Sequence, residues 1–257
     1  MKKSNVFFVR CTLAALATLA LALPAAAQQA TGSALGDQEN LRLLSGGDVN
    51  AAIITVDKRY EGVRGTPFLL PVWASGNLLL ASQKQVAGVP LKYDVYNQQL
   101  MAKRPAGDSL WVELRNIREF TLTDPRALPG QANQRRFRRF SGAPGLPPRT
   151  DFLEVLHDSG PYQLLKRPGK QLVKANYQQA YSADKPYDEL VDNTDYYLLS
   201  PQGTLSPVKP AAKALLSAVP GEFQEPLRAK LKKAPLRTES DLFNAVSELN
   251  LLASAKK

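Results

Sequence analysis

Apolar and polar residues alternate most clearly over residues 89–123, VPLKYDVYNQQLMAKRPAGDSLWVELRNIREFTLT, and the alternation predicts an antiparallel meander. Leu91, Tyr93 and Val95 fall on one phase, and Lys92, Asp94 and Tyr96 on the other, which is the two-residue period of a half-buried strand. A two-residue turn at Asn97 and Gln98 sets Val95 opposite Leu100 and Tyr93 opposite Ala102, so the apolar side chains share a face. Of the two turn residues, Asn97 accepts a left-handed backbone more readily. For the next connection, a four-residue loop at 105–108 would bring Glu113 onto the core face beside Leu100. A five-residue loop at 105–109 instead brings Leu114 to Leu100 and Val112 to Ala102, keeping one face apolar across three strands. The opposite face then collects Lys92, Lys103 and Trp111 in one row and Asp94, Met101 and Glu113 in the next. Tyr96, Lys103 and Trp111 are the candidate ligand-stacking residues of that face. A tryptophan among lysines packs on their stems, covers a second apolar layer, or presents its ring to a ligand.

Further strands are predicted at 53–56, 76–82, 152–156, 162–165 and 172–175, with a last hairpin at 196–208 around Pro201, Gln202 and Gly203. Gly88 and Pro90 read as turn residues leading into the meander. Apolar residues occupy both phases over 152–165, as in a strand covered on both sides. Helical spacing follows: Pro210 opens 211–218, and Phe223, Leu227, Leu231 and Ala234 form a second stripe whose start Pro226 should mark. Thr238 with Asp241 forms a capping box before the stripe Leu242, Val246 and Leu249. The fold class is therefore α+β, an antiparallel β-meander making a β-rich core, with two or three short helices at the C-terminus.

Between the first strand and the meander, Gly62 and Gly65 sit in YEGVRGTPFLLPVW. No Gly-Lys-Ser/Thr follows and Pro71 blocks a helix start, so this reads as a tight loop pinning Phe68 and Trp73 into the core rather than a phosphate cradle. GTPFL at 65–69, Trp-x-x-Gly at 73–76, KYD at 92–94, REF at 118–120, FLEVL at 152–156 and DYYLL at 195–199 together resemble a family of uncharacterised secreted proteins of the Bacteroidota. The likeness runs over about residues 60–251. It implies an extracytoplasmic β-rich domain with C-terminal helices and carries over no activity and no functional residue.

The N-terminus supplies an address. Lys2 and Lys3 precede an apolar run over 11–23, and Ala25 and Ala27 are small, so a secretory signal with cleavage after Ala27 is expected. That run is too short to span a bilayer. Residues 28–50 read as a poorly ordered lead-in, 51–208 as the β-rich domain with a basic loop at 124–150, and 209–252 as helices packed on it. The single cysteine, Cys11, leaves with the signal, so the mature chain is expected to hold no disulfide and no thiolate site.

The precursor carries +10, and +7 once Lys2, Lys3 and Arg10 are gone. Much of the excess lies in 124–150 and 208–237. Arg135, Arg136, Arg138 and Arg139 alternate with Phe137 and Phe140, a mixture that grips polyanions through guanidinium forks or forms an edge strand with solvated arginines and a buried Phe137. The acidic stretch with Asp184, Asp188, Glu189, Asp192 and Asp195 lacks the order of a calcium hand, and pairing of Asp188 and Glu189 with Arg135 and Arg136 is a further reading.

One histidine, His157, lies in a turn where solvation is expected, although a Ser/His/Asp triad using it is not excluded by composition. No metal site, cofactor or catalytic constellation is predicted. The expectation is a periplasmic or secreted non-enzymatic binding or structural domain. Its expected partner is an anionic lipid, a polysaccharide or an envelope protein rather than nucleic acid. The rival class is an extracytoplasmic hydrolase of carbohydrate or ester with an unrecognised site.

Overall fold

Alternation over the middle of the chain becomes one large sheet, and the helical spacing after residue 209 becomes a cap on it. The computed structural model describes residue 44, the backbone of 53–54, and residues 60–105, 107–128, 133–140, 152–175, 187–232 and 235–255. The signal with its cleavage site at Ala27, most of the lead-in, residues 129–132 and 141–150 of the basic stretch, the acidic stretch up to residue 186, and Ala234 lie outside the described residues.

The strands are β1 (Ile53–Ile54), β2 (Ala74–Leu80), β3 (Gln85–Asp94), β4 (Gln99–Lys103), β5 (Ser109–Trp111), β6 (Ile117–Thr123), β7 (Gln134–Arg139), β8 (Phe152–His157), β9 (Gln163–Arg167), β10 (Lys170–Val173), β11 (Glu189–Asp192), β12 (Asp195–Leu199) and β13 (Leu205–Val208). A 3-10 turn (Leu114–Asn116) separates β5 from β6, and the helices are α1 (Ala212–Ala218), α2 (Gly221–Leu231) and α3 (Glu239–Ser254). Eleven strands form a single sheet in the order β1-β5-β4-β3-β2-β6-β7-β8-β9-β12-β13, while β10 and β11 pair separately. Every pair among the strands named here is antiparallel, so the chain is α+β as its patterning predicts.

The order forces the sheet to curl. Five residues, 112–116, join β5 to β6, yet β4, β3 and β2 stand between them. Laid flat, those four steps measure about 19 Å. A link with three residues wound into a 3-10 turn reaches only about 16 Å. Alternating directions also make β5 and β6 run parallel, so a flat sheet would require a return along the strand as well. The N-terminal strands therefore wrap around their own core, in which Phe120 and Phe137 stack at 4.7 Å and Tyr93 and Phe152 meet them edge-on. Each of these four rings is essentially inaccessible, and burying one contributes about 1.5–3 kcal/mol.

The predicted faces of the meander are correct, and both registers are displaced by two residues. Tyr93 pairs with Leu100 and Leu91 with Ala102, so four residues, 95–98, make the turn. The cause is Asp94. Its buried carboxylate accepts the N–H groups of Tyr96 and Asn97 at 3.0 and 2.8 Å, closing the turn earlier, and Gln98 rather than Asn97 takes the positive φ of 56°. Beyond β4, Ala102 pairs with Leu110, and Val112 donates to the Leu100 carbonyl, which makes 104–108 the five-residue loop. Glu113 and Leu114 leave the strand altogether, because the Glu113 side chain caps the 3-10 turn. An even displacement leaves every side chain on its predicted face.

Four other boundaries differ. Gly88 and Pro90 lie inside β3, where a bulge opposite 76–78 loosens the ladder and Gly88 N–H donates to Asn77 Oδ1 at 3.0 Å. The arginine-rich segment forms β7 between β6 and β8, a central strand rather than an edge or a surface loop. Residues 189–192, read as acidic loop, form β11 on β10. Pro226 lies within α2 instead of starting it. Pro226 has no N–H to give the Glu222 carbonyl, and both residues stand on the exposed side of the helix, where the lost bond costs least.

The helices cover the same face of the sheet that lines the curled core, but farther along. Leu164, Leu198 and Val208 meet Leu215, Leu227, Leu242 and Val246 there. The reverse face buries Leu153, Leu165, Tyr197 and Leu205, so β8 and β9 are covered on both sides as expected. The Thr238–Asp241 capping box begins α3.

Candidate functional site

A polar seam divides the two apolar cores along their shared face. Residue parity places Phe152, Glu154 and Leu156 in one column of β8, Leu164 and Lys166 in β9, and Tyr196 and Leu198 in β12. Register sets Glu154, Lys166 and Tyr196 side by side. Arg135 of β7 reaches Glu154 through two bonds of 2.7 Å. From the first turn of α3, Glu239 accepts from Lys166 at 2.7 Å and from Tyr196 at 2.8 Å. Burial alone would raise the Glu239 pKa, but the bonds from Lys166 and Tyr196 outweigh it and hold the carboxylate below its usual range. Burial and the same carboxylate push the Tyr196 phenol far upward, so it stays protonated and donates. The seam fixes charge in place. Neither group is poised to exchange a proton near neutrality.

All four arginines of the predicted polyanion site are engaged within the chain. Arg135 and Arg139 flank the buried Phe137 on the core phase. Arg139 donates to the Leu114 carbonyl and lies over the Phe152 ring at 5.0 Å. On the other phase Arg136 meets Asp158, while Arg138 donates to Gln163 at 2.5 Å and lies 4.8 Å from the Phe140 centroid. The acids that hold Arg135 and Arg136 thus come from β8 and the turn after it. Asp188, offered as a partner from the acidic stretch, accepts from Ala175 N at 2.8 Å and lies 3.6 Å from Lys174.

His157 is buried rather than solvated, beneath Phe243 of α3 with ring centroids 5.0 Å apart. Its Nε2 lies 3.4 Å from Ser159 Oγ and its Nδ1 3.5 Å from Asn250 Nδ2. The order resembles a catalytic triad, and the hydrogen bonding runs the wrong way. Asn250 Oδ1 accepts from Tyr162 N at 2.8 Å and Nδ2 donates to Tyr162 O at 2.9 Å, which fixes the amide orientation. The amide N–H therefore faces Nδ1 as a donor, leaving the imidazole proton on Nε2, where a general base needs a lone pair toward serine. The cluster is a clasp between α3 and the β8–β9 turn. A Cβ on Gly160 would lie 2.4 Å from the Asn250 side chain, so only glycine lets the two approach.

This clasp sets a pH dependence. Burial holds the His157 pKa below its ordinary value of 6.5 despite nearby Asp158. The unfolded chain therefore takes up the proton first as pH falls. The stabilisation is complete above pH 6.5 and is lost as pH drops through the lowered folded value. Between pH 8 and pH 5 the urea midpoint of the wild type is expected to fall further than that of His157→Gln. Equal shifts in the two proteins would remove His157 as the cause.

The predicted stacking residues are separated. Tyr96 is exposed in the β3–β4 turn, edge-on to Tyr60 at 6.0 Å. Lys103 is exposed at the opposite end of β4, and half-buried Trp111 stands on β5 beside Met101. A different set is brought together. Lys92 pairs with Met101, Met101 with Trp111, and the Ala74–Leu91 pair puts Trp73 next to Lys92. The row on the face away from the core is thus Trp73, Lys92, Met101, Trp111, of which Met101 is buried. Lys92 Nζ lies 4.5 Å from the Phe68 centroid and 5.5 Å from that of Trp73. Phe68 and Trp73 accordingly line this outer face, and the loop that carries them is pinned at Gly65. There φ is +89° and a Cβ would meet the Leu190 carbonyl at 2.7 Å. Phe68 and Trp73, expected in the core, are instead half-buried on this face, because Trp73 continues the phase of β2 one residue before the strand begins.

No protein-family model, curated protein or solved structure matches this chain. The geometry therefore stands alone. Among the described residues no helix is long and apolar enough to cross a membrane, and no group of metal-ligating side chains gathers.

Proposed function

We propose that the protein acts outside the cytoplasm as a non-enzymatic domain contacting an anionic partner of the cell envelope. The N-terminal address, the basic balance of the chain and the resemblance to secreted Bacteroidota proteins motivate it. The observation that carries it is the division of the basic residues. Arg135, Arg136, Arg138 and Arg139 are held by the chain's own groups. Lys209, Lys213, Lys232 and Arg237 of the helical cap are exposed, which leaves them to an external anion.

The test is cosedimentation with vesicles and retention on immobilised acidic polysaccharide, each across a salt series. Wild-type protein is expected to bind in low salt and release as salt rises. Changing Lys209, Lys213, Lys232 and Arg237 together to glutamine should weaken binding at least about tenfold, a loss of 1.4 kcal/mol. Wild-type protein that ignores every anionic surface in low salt would overturn the reading.

A further inference from the structure

We infer that the outer-face cluster Phe68, Trp73 and Lys92 is a binding subsite for an acidic glycan, with Lys92 reading a sugar carboxylate between the two rings. This rests on the proposed function, in that the partner is taken to be anionic and outside the cytoplasm. Three observations point to this face. Lys92 is half-buried between the Phe68 and Trp73 rings, and among the described residues no carboxylate pairs with it. By contrast Lys166, Lys170 and Lys174 each have an acidic partner. Beside these rings Pro71 and Val72 are exposed, so the cluster opens to solvent.

The chemistry selects the ligand. A half-buried ammonium held against two ring faces is short of hydration, and burial lowers its pKa. An incoming carboxylate restores the lost interaction. A pyranose ring carries apolar C–H faces that stack on indoles while its hydroxyls remain in water. A uronic acid unites the two in one residue. Phosphate groups favour the planar forks of arginine, and the arginines of β7 are occupied elsewhere. A single lysine set among flat rings fits a carboxylated sugar.

The chain has two tryptophans, Trp73 in the site and Trp111 at the far end of the same row, so emission excited at wavelengths that spare the tyrosines reports on this face. Short oligogalacturonides titrated into the protein at low salt are expected to shift or quench that fluorescence saturably. Neutral maltooligosaccharides should not. Lys92→Gln is expected to weaken binding at least tenfold, and Trp73→Phe to retain more affinity than Trp73→Ala. Unfolding midpoints of the three variants check that each is folded. Oligogalacturonide bound, by equilibrium dialysis, without any tryptophan response would overturn this subsite while leaving the proposed function standing. So would equal affinity of Lys92→Gln, or equal binding of the neutral sugar. Binding to anionic vesicles through the helical cap, with none to the oligogalacturonide, would do the same.

Discussion

Arg135→Met is expected to cost about 3 kcal/mol of stability, near the low end of what breaking a buried ion pair removes. Glu154 keeps only 7% of its side chain exposed and takes both of its short bonds from Arg135, whose own side chain is 22% exposed. Methionine fills the space of the arginine stem and leaves the carboxylate facing an apolar edge. Arg135→Met with Glu154→Leu removes both charges, and most of the loss should return, since an apolar pair of similar volume is often no worse than the ion pair. Urea unfolding with a common slope measures both. A neutral single change would mean that water reaches Glu154 and that the seam does not organise the boundary between the cores. The same experiment separates structural from ligand-binding roles, because an arginine serving an external polyanion would lower binding and leave the midpoint unchanged.

Asn250→Ala should be comparably damaging, at about 2–4 kcal/mol, because it leaves two buried backbone groups without partners. The amide spans the N–H and C=O of Tyr162 as a neighbouring strand would, and it is the point at which α3 is fastened to the β8–β9 turn. Gly160→Ala should reproduce part of the loss by displacing the same amide, and the two changes together should cost less than their sum. Additive effects would show that Gly160 and Asn250 act independently and that the clasp is not a unit.

The faces of the sheet were legible because burial imposes a period of two, and any even displacement preserves it. Register was not, because it depended on where the Asp94 carboxylate closed a turn, a choice that strand alternation does not record. The helices were legible from caps and stripes, with Thr238 and Asp241 behaving as their spacing indicates. Pro226 misled because the cost of an interior proline is smallest on an exposed helix face, and sequence spacing alone did not place it there. The arginines of β7 looked free because their partners, Glu154, Asp158 and Gln163, are 19–25 residues away and become neighbours only once β8 and β9 are in place. Lys92 was assigned to the correct face, but its nearest rings belong to the loop before β2, which sequence spacing does not connect to it.

The order of strands also bears on how the chain reaches this state. Among the described residues, eight of the eleven strand pairs join segments adjacent in the chain, so most of the sheet can assemble by adding hairpins one after another. The docking of β6 on β2 is different in kind. It closes a loop from Leu80 to Ile117 and commits the growing ribbon to wrap. Until then Phe120, the ring at the centre of the aromatic cluster, holds Phe137 across the β6–β7 pair but has no Tyr93 against it, so closure completes the interior.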